Sequence, residues 1–160
     1  MIDTAKVTDR RKLRFKTPAE MMADVDRVVA ADRAGTLRRC GNWTTGQVLW
    51  HLAAWVDYSY DGNPLRPPWF IKVILRFMKK RFLRGPLKAG VKIPKVAGGT
   101  LATEALPLDE ALARFKKAWA RLEKGPPSIP NILFGPMTHD EWIKGHLRHA
   151  ELHLSFLHPA

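Results

Sequence analysis

Cysteine is almost missing from this sequence. Cys40 is the only one among 160 residues, which excludes an intramolecular disulfide and points to a reducing compartment. Long apolar runs are missing too: Phe70–Met78 is broken by Lys72 and Arg76, so no membrane span is expected. The N-terminal stretch MIDTAKVTDRRKLRFK carries charge but no apolar core of a secretory signal, and a cytoplasmic location follows as the expectation. No alternating strand pattern and no internal repeat is present. Neither a Ser/His/Asp set, nor a phosphate-cradling glycine loop, nor a carboxylate pair points to another chemistry. Acidic residues are absent from Gly62 to Thr103, a stretch holding ten Lys or Arg.

What is present fits one globular domain. At 46% hydrophobic content the chain is long enough for a single core. Its formal charge of +12 is concentrated in that acid-free stretch and in a second run, Arg10 to Lys16. Such asymmetry makes a surface attractive to anions: nucleic acid, phospholipid or a small acidic substrate. The lone Cys40 has two readings, a thiol activated by Arg38 and Arg39 or simply a small half-buried residue.

Helix signals recur along the chain. Residues 1–16 read as a flexible basic arm and 17–160 as the domain. Thr17-Pro18-Ala19-Glu20 opens a first helix with an N-cap, a proline at the first helical position and a capping-box glutamate. A second begins at Thr44 or Thr45, with Gln47 closing a box and an inward stripe of Gln47, Trp50, His51, Ala54 and Tyr58. Pro68 to Arg84 predicts a basic amphipathic helix. Its apolar face, Ile71, Ile74, Leu75, Met78 and Phe82, is expected to pack on the core, with membrane-surface docking as the other use of such a helix. Residues 85–106 read as a long loop. Leu108, Leu112, Phe115, Trp119 and Leu122 alternate four- and three-residue steps, the pattern of a helix-bundle seam. Thr138 and Glu141 then cap a last helix, and the fold class is all-α.

Five of the six histidines lie in the final 22 residues. In a helix each residue turns by about 100°, so His149 and His153 stand one above the other, with His146 within about 60° of both. His-x-x-x-His is a two-ligand metal clamp, although packed or solvated histidines share that spacing. A third ligand would have to be brought in by folding, and the sixth histidine, His51, sits far upstream in another apolar-periodic stretch, where a hydrogen-bonded core histidine is the plainer reading. Glu151, about 200° around from His149, points away from that face and rules out a zincin-type protease helix.

With His51 on one helix and His149 and His153 on the last, the chain resembles the DinB-like superfamily of metal-binding four-helix bundles. The resemblance covers most of the domain and rests on Trp43-Thr44-Thr45-Gly46-Gln47, His51-Leu52 and the C-terminal His149-x-x-x-His153. GNWTTGQVLWHLA and FGPMTHDEWIKGHLRHAELHLSFL look closest to a bacterial branch of uncharacterised function. The resemblance implies a DinB-like bundle with an additional basic helix and a long loop between its second and fourth helices. It implies metal ligation by His51, His149 and His153; His146, which has no fixed counterpart in the general pattern, is expected with Gln47 and Trp50 in a second shell or pocket wall. Many members follow the last histidine with Arg-Gly-Gln, where this chain has Leu154-Ser155-Phe156.

Three neutral imidazoles leave a divalent ion with open positions, zinc first, with nickel or iron also suited. Characterised relatives include thiol-dependent S-transferases and a mycothiol-dependent isomerase. The resemblance therefore implies a metal-dependent enzyme, S-transferase-like, using a low-molecular-weight thiol on a small substrate; no catalytic side chain is assigned. Lys and Arg of 66–95 are expected to line the rim of the cleft above the histidines and draw in an anionic substrate. A homodimer is among the expected assemblies. Two other classes stand beside the enzyme. One is a non-catalytic metal-binding or interaction module. The other is a nucleic-acid binder using the basic charge with Trp69 and Phe70, although no specific nucleic acid is expected because no recognition motif is present.

Overall fold

The structure is a computed structural model describing residues 1–160. Five helices carry the chain: α1 (Pro18–Arg33), α2 (Thr45–Asp61), α3 (Trp69–Arg84), α4 (Leu108–Lys124) and α5 (His139–Leu154). A minimal sheet, β1 (Arg38–Arg39) against β2 (Leu157–His158), pairs antiparallel with Arg38 opposite His158. The fold is mostly helical. The sheet has no counterpart in the sequence pattern, because two-residue strands are too short to show a period of two.

Each helix start follows from local chemistry. Thr44 and Thr138 form complete capping boxes with Gln47 and Glu141. At α1 the Thr17 side chain accepts from the Glu20 amide, but the Glu20 carboxylate reaches past it to the amide of Lys16. The box expected there is therefore half formed.

The core is built from α1, α2, α4 and α5, with Met21, Leu49, Phe115, Trp119, Leu122 and Leu154 among its fully buried members. α2 has the broadest contact with α4 and also touches α1 and α5. That central position corrects the inward stripe expected for α2. Val48, Leu49, Leu52, Ala53 and Val56 are buried beside His51 and Ala54, whereas Gln47, Trp50 and Tyr58 are half-buried. A helix packed on several sides buries most of its circumference, and a single-stripe reading underdraws it.

The packing expected of α3 is corrected more strongly. Only Leu83 is fully buried. Ile71, Leu75 and Phe82 are half-buried, and Ile74 and Met78 face outward. The helix lies on α5 along one narrow side. There Leu83 reaches Gly145, Phe82 packs on Phe134 with ring centroids 5.3 Å apart, and Lys79 pairs with Glu141 at 3.0 Å.

Residues 1–16 run across α1 and α5. Arg11 grips the buried Asp24 with two hydrogen bonds of 2.8 Å and also donates to the Leu154 carbonyl. Phe15 is buried, and its amide donates to Glu151 at 2.6 Å. Burial opposes ionisation of Asp24, yet Arg11 and Arg27 hold its carboxyl below the ordinary value. Replacing Asp24 with Ala strands the Arg11 charge, and we expect a loss of roughly 3–5 kcal/mol in a denaturant titration. A change under about 1 kcal/mol would mean that water serves Arg11 equally well.

Candidate metal centre

α2 and α5 bring three imidazoles to one point. The ring centroids of His51, His149 and His153 lie 5.0, 4.5 and 4.8 Å apart taken pairwise. One ring nitrogen from each falls within 4.8 Å of the others. His149 and His153 meet because they are one turn apart on α5. His51 reaches them from α2, with its Nε2 3.1 Å from Nε2 of His149.

The tautomer of His51 follows from its other nitrogen. Nδ1 lies 2.9 Å from the Leu101 carbonyl oxygen, which can only accept, so the proton sits on Nδ1 and Nε2 presents a lone pair. The segment carrying that carbonyl is held on α2 by three side chains in sequence. Gln47 Nε2 donates to the Thr103 carbonyl at 3.0 Å, Trp50 Nε1 donates to Glu104 at 2.7 Å, and His51 takes Leu101. Gly46 makes the approach feasible, since a Cβ there would overlap the Leu106 carbonyl.

Aromatic rings wall the centre. Trp43 stacks on His153 with centroids 5.2 Å apart and planes 5° from parallel. Trp55 meets His149 edge-on at 5.5 Å, and its buried indole N–H has no hydrogen-bond partner. His146 lies one turn earlier on α5, stacked on Trp142. Ser59 Oγ donates to the Trp55 carbonyl and stands 3.1 Å from His146 Nε2, so the imidazole donates to it. His146 is thus committed to α2 and is not part of the converging group.

Charge around the histidines is low. Burial pushes His51 and His146 down to about 4. Burial, then the neighbouring imidazoles, puts His149 well below its usual value, and the same causes act on His153. Glu151 turns to the opposite side of α5, where it is buried and bonded to Arg148 and Phe15.

Three residues of the basic segment line a cavity that none of the three histidines borders. Arg66, Lys72 and Arg76 border this cavity of about 490 Å³, shared with Tyr58, Ser59 and Trp142 and free of acidic side chains. Arg66 comes from the loop between α2 and α3, and Lys72 and Arg76 come from α3. A second cluster, Asp9, Cys40 and His158, also comes together. Arg38 fills it, bonding Asp9 at 2.7 Å and His158 Nδ1 at 2.9 Å. Burial, then Asp9, pushes the Cys40 thiol up, which sets aside the activated-thiol reading.

His139 lies apart, donating to the Leu122 carbonyl. The Leu101 carbonyl, Trp55 and Ser59 carry no motif signal, because only folding brings them to the histidines. Spacing along α2 does offer one weak sign for Trp55, four residues after His51.

The family model described as "Protein of unknown function (DUF1569)" matches residues 7–160. No curated protein and no solved structure matches the chain.

The lowered histidines carry a pH signature. Groups with a usual value near 6.5 and a folded value of about 4 stabilise the fold above pH 6.5. That contribution is lost as pH falls toward 4, because the unfolded chain takes up protons that the fold refuses. In chelator-treated protein the denaturation midpoint should fall over this window. His146→Gln should flatten the fall by up to about 1.4 kcal/mol per pH unit. An unchanged slope would show that His146 is not held neutral.

Proposed function

We propose, from the premise that the chain belongs to the DUF1569 family, that His51, His149 and His153 hold a divalent metal ion at a site of small-molecule chemistry. The observation that carries this reading is the lone pair of His51 Nε2, fixed by Leu101 and set 3.1 Å from His149 Nε2. Ligands 2.0–2.1 Å from one ion lie no further apart than about 4.2 Å, and this pair satisfies that limit. A carbonyl holding the far nitrogen of a ligating histidine is the usual supporting contact at such sites. Zinc is the first candidate, and nickel or iron also accepts imidazole.

The four core helices α1, α2, α4 and α5, with ligands on α2 and near the end of α5, support assignment to the DinB-like bundles. The reaction proposed by that likeness is S-transfer from a low-molecular-weight thiol. Held by three neutral imidazoles, an ion supplies open positions and lowers the pKa of a thiol placed there. The chain's own residues do the rest. Gln47 and Trp50 hold the segment that orients His51, Trp43 and Trp55 exclude water, and Trp55 keeps an unpaired donor. An anionic group of the substrate suits the cavity bordered by Arg66, Lys72 and Arg76, which has no carboxylate in its lining and reaches the histidine side through Ser59, the partner of His146.

His153→Ala, made without a histidine tag, tests the reading. We expect metal content and thiol-dependent transfer to fall together, about tenfold or more, while the melting curve changes little. A sharp loss of thermal stability with the metal would make the ion structural and the module non-catalytic. Unchanged metal content would remove the histidine centre from the account.

A further inference from the structure

The outward side of α3 has no cover. Trp69 is 76% exposed and Phe77 87%, and Phe70, Val73 and Ile74 are about half exposed. At about 100° per residue these five side chains share an arc of roughly 140° over the first three turns. Further along, the same side continues as Lys80, Arg81 and Arg84, all exposed. Six of the ten exposed large apolar side chains in the whole chain belong to this helix. Single exposed apolar groups are ordinary, but a cluster on one rigid face marks an interaction surface.

We propose that α3 docks in the plane of an anionic lipid surface. Trp69, Phe70, Val73, Ile74 and Phe77 enter the boundary between headgroups and acyl chains, and Lys80, Arg81 and Arg84 meet the lipid anions. The helix is too short and too charged to cross a bilayer. Its composition is that of an interfacial helix: aromatic and aliphatic groups together, basic groups beside them, and no acid from Gly62 to Thr103.

Charge selects this occupant over the others. A second copy meeting through the same patch would set Lys80, Arg81 and Arg84 against themselves, with no local carboxylate to relieve them. Nucleic acid would satisfy the cations and stack on the exposed aromatic rings, but it would leave the aliphatic Val73 and Ile74 in water. An anionic bilayer satisfies both halves of the face. The inner side is already fixed by Leu83 against Gly145 and by the Lys79–Glu141 pair. The surface is therefore presented ready-made, without a folding cost on binding.

This surface is separate from the histidine centre, and its test does not depend on the metal. The full-length chain is sedimented with vesicles of phosphatidylcholine alone and of phosphatidylcholine mixed with phosphatidylserine, at low and high salt. We expect binding to the mixed vesicles only, weakened by salt. Phe77→Asp and Trp69→Ser should each reduce partitioning about tenfold or more, with circular dichroism unchanged. A Lys80→Glu, Arg81→Glu double variant should lose the preference for anionic lipid. Three results would overturn the proposal. The first is failure of the unaltered chain to bind mixed vesicles. The second is binding that ignores Phe77 and Trp69, which would leave charge alone. The third is a dimer dissolved by Phe77→Asp in a chain that does not bind vesicles, which would assign the face to a second copy.

Discussion

The hydrogen bond from His51 Nδ1 to the Leu101 carbonyl decides what the histidine cluster can do, because a buried imidazole otherwise offers either nitrogen to its neighbours. With the proton held on Nδ1, the Nε2 lone pair of His51 faces Nε2 of His149 at 3.1 Å, where it accepts that imidazole's proton or is available to an ion. Keeping Leu101 in place takes a succession of small features. Gly46 admits the Leu106 backbone, Gln47 ties Thr103, and Trp50 ties Glu104. All lie on the first two turns of α2, so one helix supplies both a histidine of the cluster and the device that orients it.

α5 carries the complementary requirement, which is rotational. Its histidines must face α2 while its opposite side is pinned. Glu151 does the pinning: it is buried, pairs with Arg148 at 2.8 Å and accepts from the Phe15 amide. Burial pushes the Glu151 carboxyl up, and its bonds to Phe15, Arg148 and Arg14 oppose that shift. The N-terminal arm therefore bears on the centre from a distance, by fixing the face that α5 turns inward.

Much of this was legible in the sequence because it is local. Capping boxes at Thr44 and Thr138 set two helix starts, the four- and three-residue steps from Leu108 to Leu122 set α4, and the His149–His153 spacing set a shared face. The pairing of His51 with them came through family resemblance, since no local rule links positions a hundred residues apart. Other features were hidden for physical reasons. The Leu101 carbonyl belongs to backbone and leaves no residue-type signature. α3 has apolar residues around most of its circumference, so its sequence does not say which side packs, and the structure buries Leu83 where Ile74 and Met78 were expected. Lys72 and Arg76 then fall beside Ser59 and Trp142 and not beside the triad.

Long-range imidazole nitrogen–proton spectra of the chain, before and after one equivalent of zinc, test the central claim most directly. The account predicts that metal-free His51 carries its proton on Nδ1. Zinc should shift its Nε2 and one ring nitrogen each of His149 and His153, leaving His146 and His139 in place. A His51 protonated on Nε2, or zinc shifts confined to other histidines, would contradict it.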